Sequence, residues 1–287
     1  MVFQAPVMKR HPPAGLCRPA QPGRLARTAH DPHPMTPNPI IGATIHELAA
    51  PLRVRATRAM PALPAALEAE IDRLWAAAQA RTGGRLFNGR VFCADEITPT
   101  LIHGHWSEYR RVVAQIGRHD LFAELRQRSL AVGGVVVGPD GVVFARRPAD
   151  AIYQPGEWQL PPAGTVDAGA ARPLGEPLGE VDLFATLFTE LEEELGLTAA
   201  DVRNPRPLCL VEHADPERGG SHVLDLGIAL ETSLSGAALR ARHQAAGDEE
   251  YAALEMVSLA ALPGFLAREA ATMNLQAPIF LRRAGLI

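Results

Sequence analysis

Four glutamates fall within five positions of "TELEEELGL", Thr189 to Leu197. Carboxylates are hard oxygen ligands for dications and serve as general bases, but they crowd at a cost. Two unit charges about 4 Å apart repel by roughly 1 kcal/mol in water and roughly 4 kcal/mol at the effective dielectric of a protein surface. At about 100° per residue, with Glu190 as origin, Glu193 lies near −60° and Glu194 near +40°, whereas Glu192 points away near 200°. Three carboxylates therefore share one helical face. Phe184, Leu187, Phe188, Leu191 and Leu195 form an apolar stripe bordering that face. Gly196 suits a helix C-terminus, where the helix dipole disfavours negative charge. A dication among Glu190, Glu193 and Glu194 resolves the conflict; a solvated acidic face is the plain alternative.

The elements that must position this helix are legible around it. "LAVGGVVVGPDGVVFARRP" is predicted to be a β-hairpin turning at Pro139-Asp140-Gly141. The proline/glycine loop "WQLPPAGTVDAG" follows, then the helix over about 181–196. "PLCLVEHA", "HVLDLGIALE" and "YAALEMVSL" read as strands, and "LPGFLAREAA" and "APIFLRRAG" as closing helices. Residues 128–287 are thus predicted to be an α+β sandwich. Residues 41–127 read as a small α+β domain. In it, "ATIHELAAPLRVRAT" alternates like one or two strands around Pro51. An amphipathic helix carries Leu67, Ile71, Leu74 and Trp75, a strand enters through Asn88-Gly89, and "SEYRRVVAQIG" makes a short helix. Residues 1–40 are proline-rich and lack apolar periodicity, which predicts disorder.

The segment from Trp158 to Leu197 resembles the Nudix box, the loop-helix-loop element of nucleoside-diphosphate-X hydrolases, whose pattern is G-x5-E-x7-R-E-U-x-E-E-x-G-U. "ELEEELGL" supplies its E-U-x-E-E-x-G-U part through Glu190, Leu191, Glu193, Glu194, Gly196 and Leu197, and Gly164 stands as the box glycine. Two departures are visible. Thr189 occupies the place of the arginine, which in the family orients a catalytic carboxylate. "AARPLGEPLGE" lengthens the loop, so that Glu180 or Asp182 would have to substitute for the early glutamate. Missing box arginine, inserted loop and N-terminal α+β extension are together similar to the UDP-glucose pyrophosphatase type of Nudix enzyme. The stretches "IDRLWAAAQARTGGRLFNGRVF", "DLFATLFTELEEEL" and "DEEYAALEMVSL" also resemble that type.

The resemblance implies an α/β/α Nudix sandwich with a mixed sheet and metal-assisted attack of water on a diphosphate. Mg²⁺, or Mn²⁺, would bridge anionic substrate and anionic enzyme through Glu190, Glu193 and Glu194. One of these, or Glu250 in the loop "GDEEY", would act as general base. Gly164 would let backbone approach phosphate. Arg146 and Arg147 at the end of the hairpin, and Arg218 in "EHADPERGGSH", are candidate substrate contacts. Trp158 is expected to pack rather than stack on a base, and His103 and His105 to be loop or strand residues rather than a metal pair. Three functional readings stand open. One is hydrolysis of UDP-glucose or UDP-galactose to UMP and sugar 1-phosphate. Another is a Nudix hydrolase of ADP-ribose, a dinucleotide or a coenzyme A derivative. The third is a catalytically silent Nudix fold that binds a ligand or a protein.

Composition narrows the partners. The 287 residues are 47% apolar and 21% charged with a net charge of −4, which opposes general attraction to nucleic acid or anionic membrane. No apolar run reaches the roughly 20 residues that span a bilayer. Cys17, Cys93 and Cys209 form no CxxC pair and no even disulfide set, so a reducing, cytoplasmic compartment is expected. A small nucleotide diphosphate is the expected partner, with the protein a monomer or homodimer.

Overall fold

The computed structural model describes residues 42–287 except 152, 169–177, 216, 218–219 and 248–249. The disorder expected for 1–40 and the substrate role expected for Arg218 lie outside the described residues, as does most of the inserted loop. Pro39–Ile287 forms one compact unit.

The chain begins with β1 (Ala43–His46), β2 (Arg53–Arg58), α1 (Ala65–Arg81), β3 (Arg90–Ile97), β4 (Leu101–Glu108), α2 (Tyr109–Gly117) and the single turn α3 (Phe122–Leu125). It continues through β5 (Leu130–Gly138), β6 (Gly141–Arg146), β7 (Trp158–Gln159), β8 (Ala163–Thr165), β9 (Gly179–Glu180) and α4 (Leu183–Leu195). It closes with β10 (Val202–His213), β11 (Val223–Thr232), α5 (Gly236–Ala246), β12 (Ala253–Val257), α6 (Leu262–Arg268) and α7 (Gln276–Ala284).

A mixed sheet runs in the order β1-β10-β11-β5-β6-β12, with β7 beside β6 and β8 beside β5. Its β11–β5 pair is parallel and the other pairs are antiparallel. Period-2 alternation sends successive side chains to opposite faces. Val143 and Leu210 join the core with Leu187, Leu191 and Leu195 of α4. Val142, Phe144 and Val211 join the core with Phe265 of α6 and Ile279, Phe280 and Leu281 of α7. Helix, sheet and helix thus stack as an α/β/α sandwich. A second sheet, β3-β4-β2-β9, belongs to the N-terminal extension except for β9, which arrives from the chain just ahead of α4. Val54, Phe92, Ile102 and Trp106 of this sheet enter the same core as α4, so the extension and the sandwich share one apolar interior.

The predicted hairpin is present but opens quickly. β5 and β6 pair only as Val137 with Val142 and Gly138 with Gly141. Beyond that, β5 lies between β11 and β8, and β6 takes β7 and β12. The run "LAVGGVVVG" is apolar without strict alternation, which suits a strand covered on both faces rather than a free ribbon. The stretch around Pro51 makes two strands in different sheets. Helix α5 carries little apolar periodicity and was not expected from the sequence. It is placed by Ser235, whose hydroxyl accepts from Ala238 N, and by Asp140 of the β5–β6 turn, which accepts from Gly236 N at 2.7 Å.

One buried ion cluster ties β1 and the strand entries together. Glu212 accepts from Arg128 Nε at 3.0 Å and Nη2 at 2.6 Å, and pairs with His46 Nε2 at 3.1 Å and His222 Nδ1 at 2.9 Å. Burial alone would raise the Glu212 carboxyl, but the bonds from His46, Arg128 and His222 outweigh it and hold the group well below the usual carboxylate range. A depressed folded-state pKa contributes stability that is present above the unfolded pKa and is lost as the pH falls below about 4.3. Glu212→Gln is therefore expected to cost about 2 kcal/mol at pH 7, because it leaves the half-buried Arg128 without its counter-charge. Denaturant unfolding across pH checks this: the gap between variant and wild type should begin to narrow below about pH 5 and should still be narrowing below about pH 3, because the folded-state carboxyl stays ionised well below the usual range.

Candidate active site

Helix α4 is set by its own ends and by its apolar stripe. The Asp182 carboxylate accepts from Phe184 N at 3.0 Å and Ala185 N at 3.1 Å, which makes Asp182 the N-cap and satisfies two orphan donors. Gly196 ends the helix in the left-handed conformation at φ 65°, where its N–H reaches back to the Leu191 and Glu192 carbonyls. Leu187, Leu191 and Leu195 are fully buried, as the apolar stripe predicts. Burying that stripe forces the bordering carboxylates to the core edge.

There the glutamates separate. Glu194 is fully buried, Glu190 is half-buried, and Glu192 and Glu193 are exposed. Glu194 Oε2 accepts from Ala163 N of β8 at 3.0 Å, while its Oε1 is buried without a hydrogen-bond partner among the described residues. The Tyr251 phenol, which accepts from Gln159 Nε2 at 2.7 Å, lies near this carboxylate without reaching hydrogen-bond geometry. Glu190 lies directly over Gly164. A Cβ at position 164 would overlap its carboxylate, so the box glycine is required here for close approach of helix to strand. This differs from the expected reason, approach to a phosphate.

Glu250 comes from the loop before β12, and ligand oxygens of Glu190, Glu194 and Glu250 all lie within 4.8 Å of one another. Glu250 thus stands where the sequence pattern placed Glu193. Arg147, at the end of β6, brings Nη1 to 3.8 Å from Glu250 Oε1 and is held by its Nε bond to the Tyr153 carbonyl at 3.0 Å. Burial first, and then repulsion from Glu250 and Glu190, pushes Glu194 well above the ordinary carboxylate range. Three carboxylates and one orphaned buried oxygen form a hard-oxygen donor set that a divalent cation fits.

The cluster opens on a cleft of about 260 Å³. Glu190, Glu250, Gly164 and Arg147 line one part of it, Asp225, Gln276 and Asn274 another, and Tyr109, Val112 and Ile116 of α2 supply a wall. The N-terminal extension therefore builds part of the cleft. Tyr109 lines the same cleft as Arg147 and Glu250, and burial raises its phenol, with Arg147 opposing and Glu250 adding to the shift.

Arg146 turns its Nε to the Gly156 carbonyl at 3.0 Å, and it does not line the cleft. Thr189 is exposed and its hydroxyl donates to the Ala185 carbonyl at 3.0 Å, a bond within the helix. Neither substitute for the early box glutamate joins the cluster: Asp182 is the N-cap, and Glu180 pairs with Arg53 and Arg55 of β2. Trp158 packs on Phe265 with ring centroids 5.4 Å apart and donates Nε1 to Glu269 at 3.2 Å. His105 is a buried strand residue bonded to Asp95 at 3.2 Å. Burial pushes the Cys93 and Cys209 thiols up to about 12, so both are inert at neutral pH. Tyr109, Tyr251, Asp225 and Gln276 were missed by sequence reasoning. Asp225 had a signal, a lone carboxylate inside the apolar run "VLDLGIAL".

The model of the NUDIX domain matches residues 127–276, more than half of the chain. The chain belongs to the Nudix family. Nudix hydrolases generally use divalent metals on small nucleotide substrates, and this chain is a Nudix pyrophosphohydrolase. No curated protein matches it. Among solved structures it is similar to a NUDIX hydrolase from Nitrosomonas europaea at 12% identity and TM-score 0.37, over 56% of this chain and 88% of that one. It is also similar to a MutT NUDIX hydrolase from Burkholderia pseudomallei at 21% identity and TM-score 0.35, over 55% of this chain and 98% of that one. A C. elegans Ap4A hydrolase matches at 15% identity and TM-score 0.33, over 55% and 95%. Family membership rests on the domain match. No described helix of this Nudix protein is long and apolar enough to cross a membrane.

The packing of α4 on β8 yields a stability prediction. Gly164→Ala should lower stability by about 1–3 kcal/mol, because the methyl must displace Glu190. Gly264→Ala in α6, where nothing lies within 4 Å of an added Cβ, should be neutral or slightly stabilising. Glu194→Gln, which removes an uncompensated buried charge, should raise the unfolding temperature in chelator by about 2–4 °C. Thermal unfolding of the three variants checks all of this.

Proposed function

We propose that this Nudix protein hydrolyses UDP-sugars, UDP-glucose or UDP-galactose, to UMP and sugar 1-phosphate with Mg²⁺ or Mn²⁺. The observation that carries the reading is the convergence of Glu190, Glu194 and Glu250 on a cleft whose far wall comes from the N-terminal extension. A cleft confined by α2 suits a substrate with bulk on both sides of its diphosphate. The extension, the lengthened loop and Thr189 in place of the box arginine support the UDP-sugar assignment through their resemblance to that enzyme type.

Glu190, Glu194 and Glu250 would hold the dication, with Glu193 at the exposed rim as a fourth carboxylate. When bound, the ion neutralises charge on the diphosphate oxygens and lowers the pKa of an attacking water. The chain's own groups do the rest. Ala163 N–H fixes the Glu194 carboxylate, and the bare backbone of Gly164 lets Glu190 sit against β8. Glu250, half-buried and facing Arg147, would take a proton from water as general base through whichever of its oxygens is not on the ion. Arg147 supplies a guanidinium beside the carboxylates, where the box position carries a threonine in place of an arginine. Tyr109, Val112 and Ile116 exclude water from the cleft wall.

Phosphate release through a coupled phosphatase, with Mg²⁺ or with chelator, tests the reading on UDP-glucose, UDP-galactose, ADP-ribose, a dinucleotide and coenzyme A. Chelator-sensitive turnover of the two UDP-sugars is expected. Glu190→Gln, Glu194→Gln and Glu250→Gln should each lower kcat by about 10²-fold or more, and Glu193→Gln should also lower it. Glu192→Gln should leave kcat unchanged. Turnover of another compound instead would replace the substrate and keep the metal chemistry. Absence of any turnover would move the protein to the binding-module class.

A further inference from the structure

The cleft holds a polar group that the hydrolytic chemistry leaves unused. Asp225 interrupts the apolar strand β11, and it is half-buried on the cleft floor. A directional chain of amides ends on it. Asn274 Oδ1 accepts from Ala277 N at 3.0 Å, so its Nδ2 is the donor to Gln154 Oε1 at 3.3 Å. Gln154 Nε2 then donates to Gln276 Oε1 at 3.0 Å, and Gln276 Nε2 donates to Asp225 Oδ2. Both ends fix the direction, a backbone N–H at one and a carboxylate at the other. Gln154, Asn274 and Gln276 are all buried, and Gln154 holds a left-handed backbone at φ 50°. Such a conformation costs of order 1–3 kcal/mol in a non-glycine residue, and the surrounding structure must over-determine it.

Asp225 Oδ1 has no hydrogen bond among the described residues and stays open to the cleft. Burial raises this carboxyl to about 6, with Gln276 and Arg147 opposing. Oδ2 takes the Gln276 amide, and Oδ1 is an acceptor with no donor among the described residues. Asp225 is in register with Ala131, and Ala131 with Thr165, the neighbour of Gly164. Two strand spacings, roughly 10 Å, thus separate Asp225 from β8 under the carboxylate cluster. A second phosphate would be repelled there. A hydroxylated ring there would turn its hydroxyls toward Asp225 and its apolar face toward Val112 and Ile116, which line the same cleft.

We propose that Asp225 is a specificity-determining residue that accepts hydrogen bonds from a vicinal diol of the substrate's sugar, while α2 of the extension covers the ring. The inference rests on the cleft's being the diphosphate site. The diol belongs either to the nucleoside ribose or to the sugar beyond the diphosphate, and the two sources are separable. A site built to accept from a hydroxyl rejects the analogue that lacks it, since Asp225 Oδ1 then loses its donor inside the cleft.

The test compares, on the wild-type protein, UDP-glucose with its 2′-deoxyribo analogue and with its 2-deoxyglucose analogue. If ADP-ribose is the compound turned over, its two deoxy analogues replace these. A fall in kcat/KM of about 10²-fold or more for one analogue is expected, and it identifies which ring Asp225 holds. Asp225→Asn, checked for folding by circular dichroism, should lower kcat/KM for the parent mainly through KM and shrink the discrimination to within about threefold. Equal handling of parent and both analogues by the wild type overturns the inference, whatever the variant does. Undiminished discrimination by Asp225→Asn also overturns it. If nothing is turned over, the functional reading falls by itself. Calorimetric titration with UDP-glucose, ADP-ribose and their deoxy analogues in Mg²⁺ then makes the same comparison, and absence of binding or of discrimination overturns the inference too.

Discussion

The structure turns on a carboxylate that is buried without an answering charge. Glu194 keeps one oxygen on the Ala163 N–H and the other with no hydrogen-bond partner among the described residues, next to Glu190 and Glu250. Water would solvate this group better than the protein does, so something else must keep it in place. That something is the stripe of Leu187, Leu191 and Leu195, fully buried against the sheet. Burying three leucines stabilises by roughly 5–9 kcal/mol in total, enough to hold one helix face at the core edge against electrostatic repulsion. The helix cannot rotate to relieve Glu194 without exposing its leucines.

From that constraint the neighbouring geometry follows. Position 164 has no room for a Cβ because Glu190 lies on it, and β8 must run close beneath α4 so that Ala163 can reach Glu194. The capping at Asp182 and the left-handed turn at Gly196 end the helix where the carboxylates face the cleft. Stability has been exchanged for a charged, pre-organised edge, which is the pattern of a functional site. The N-terminal extension reads in the same terms. Its sheet shares the core behind α4, and its helix α2 faces the cleft, so its attachment and its contribution to the site have one origin.

The ion cluster around Glu212 shows the opposite arrangement. Arg128, His46 and His222 surround a single carboxylate, and the depressed pKa reports a charge that is fully answered. Two buried glutamates in one chain therefore sit on opposite sides of their ordinary range, one answered by three cationic partners and one left without a counter-charge. Local composition does not separate them: Glu212 lies in "LVEHA" and Glu194 in "EEELG", and neither stretch contains its partners.

The sequence by itself determined what depends on near neighbours along the chain. The 3.6-residue period showed the leucine stripe and put Glu190 and Glu194 on one face, Gly196 marked the helix end, and alternating or continuous apolar runs marked most strands. These signals are local because helix and strand geometry repeat over a few residues. Only the tertiary structure decided the rest. It brought in Glu250 from a loop some sixty positions on, left Glu193 outside the tight cluster, turned Arg147 toward the carboxylates and Arg146 away, and set Asp225 beside residues of α2 and α7. None of these pairings has a period to be read. They are made by strand order and layer packing, which bring distant residues together through the burial of apolar surface and carry no signature in the residues so paired.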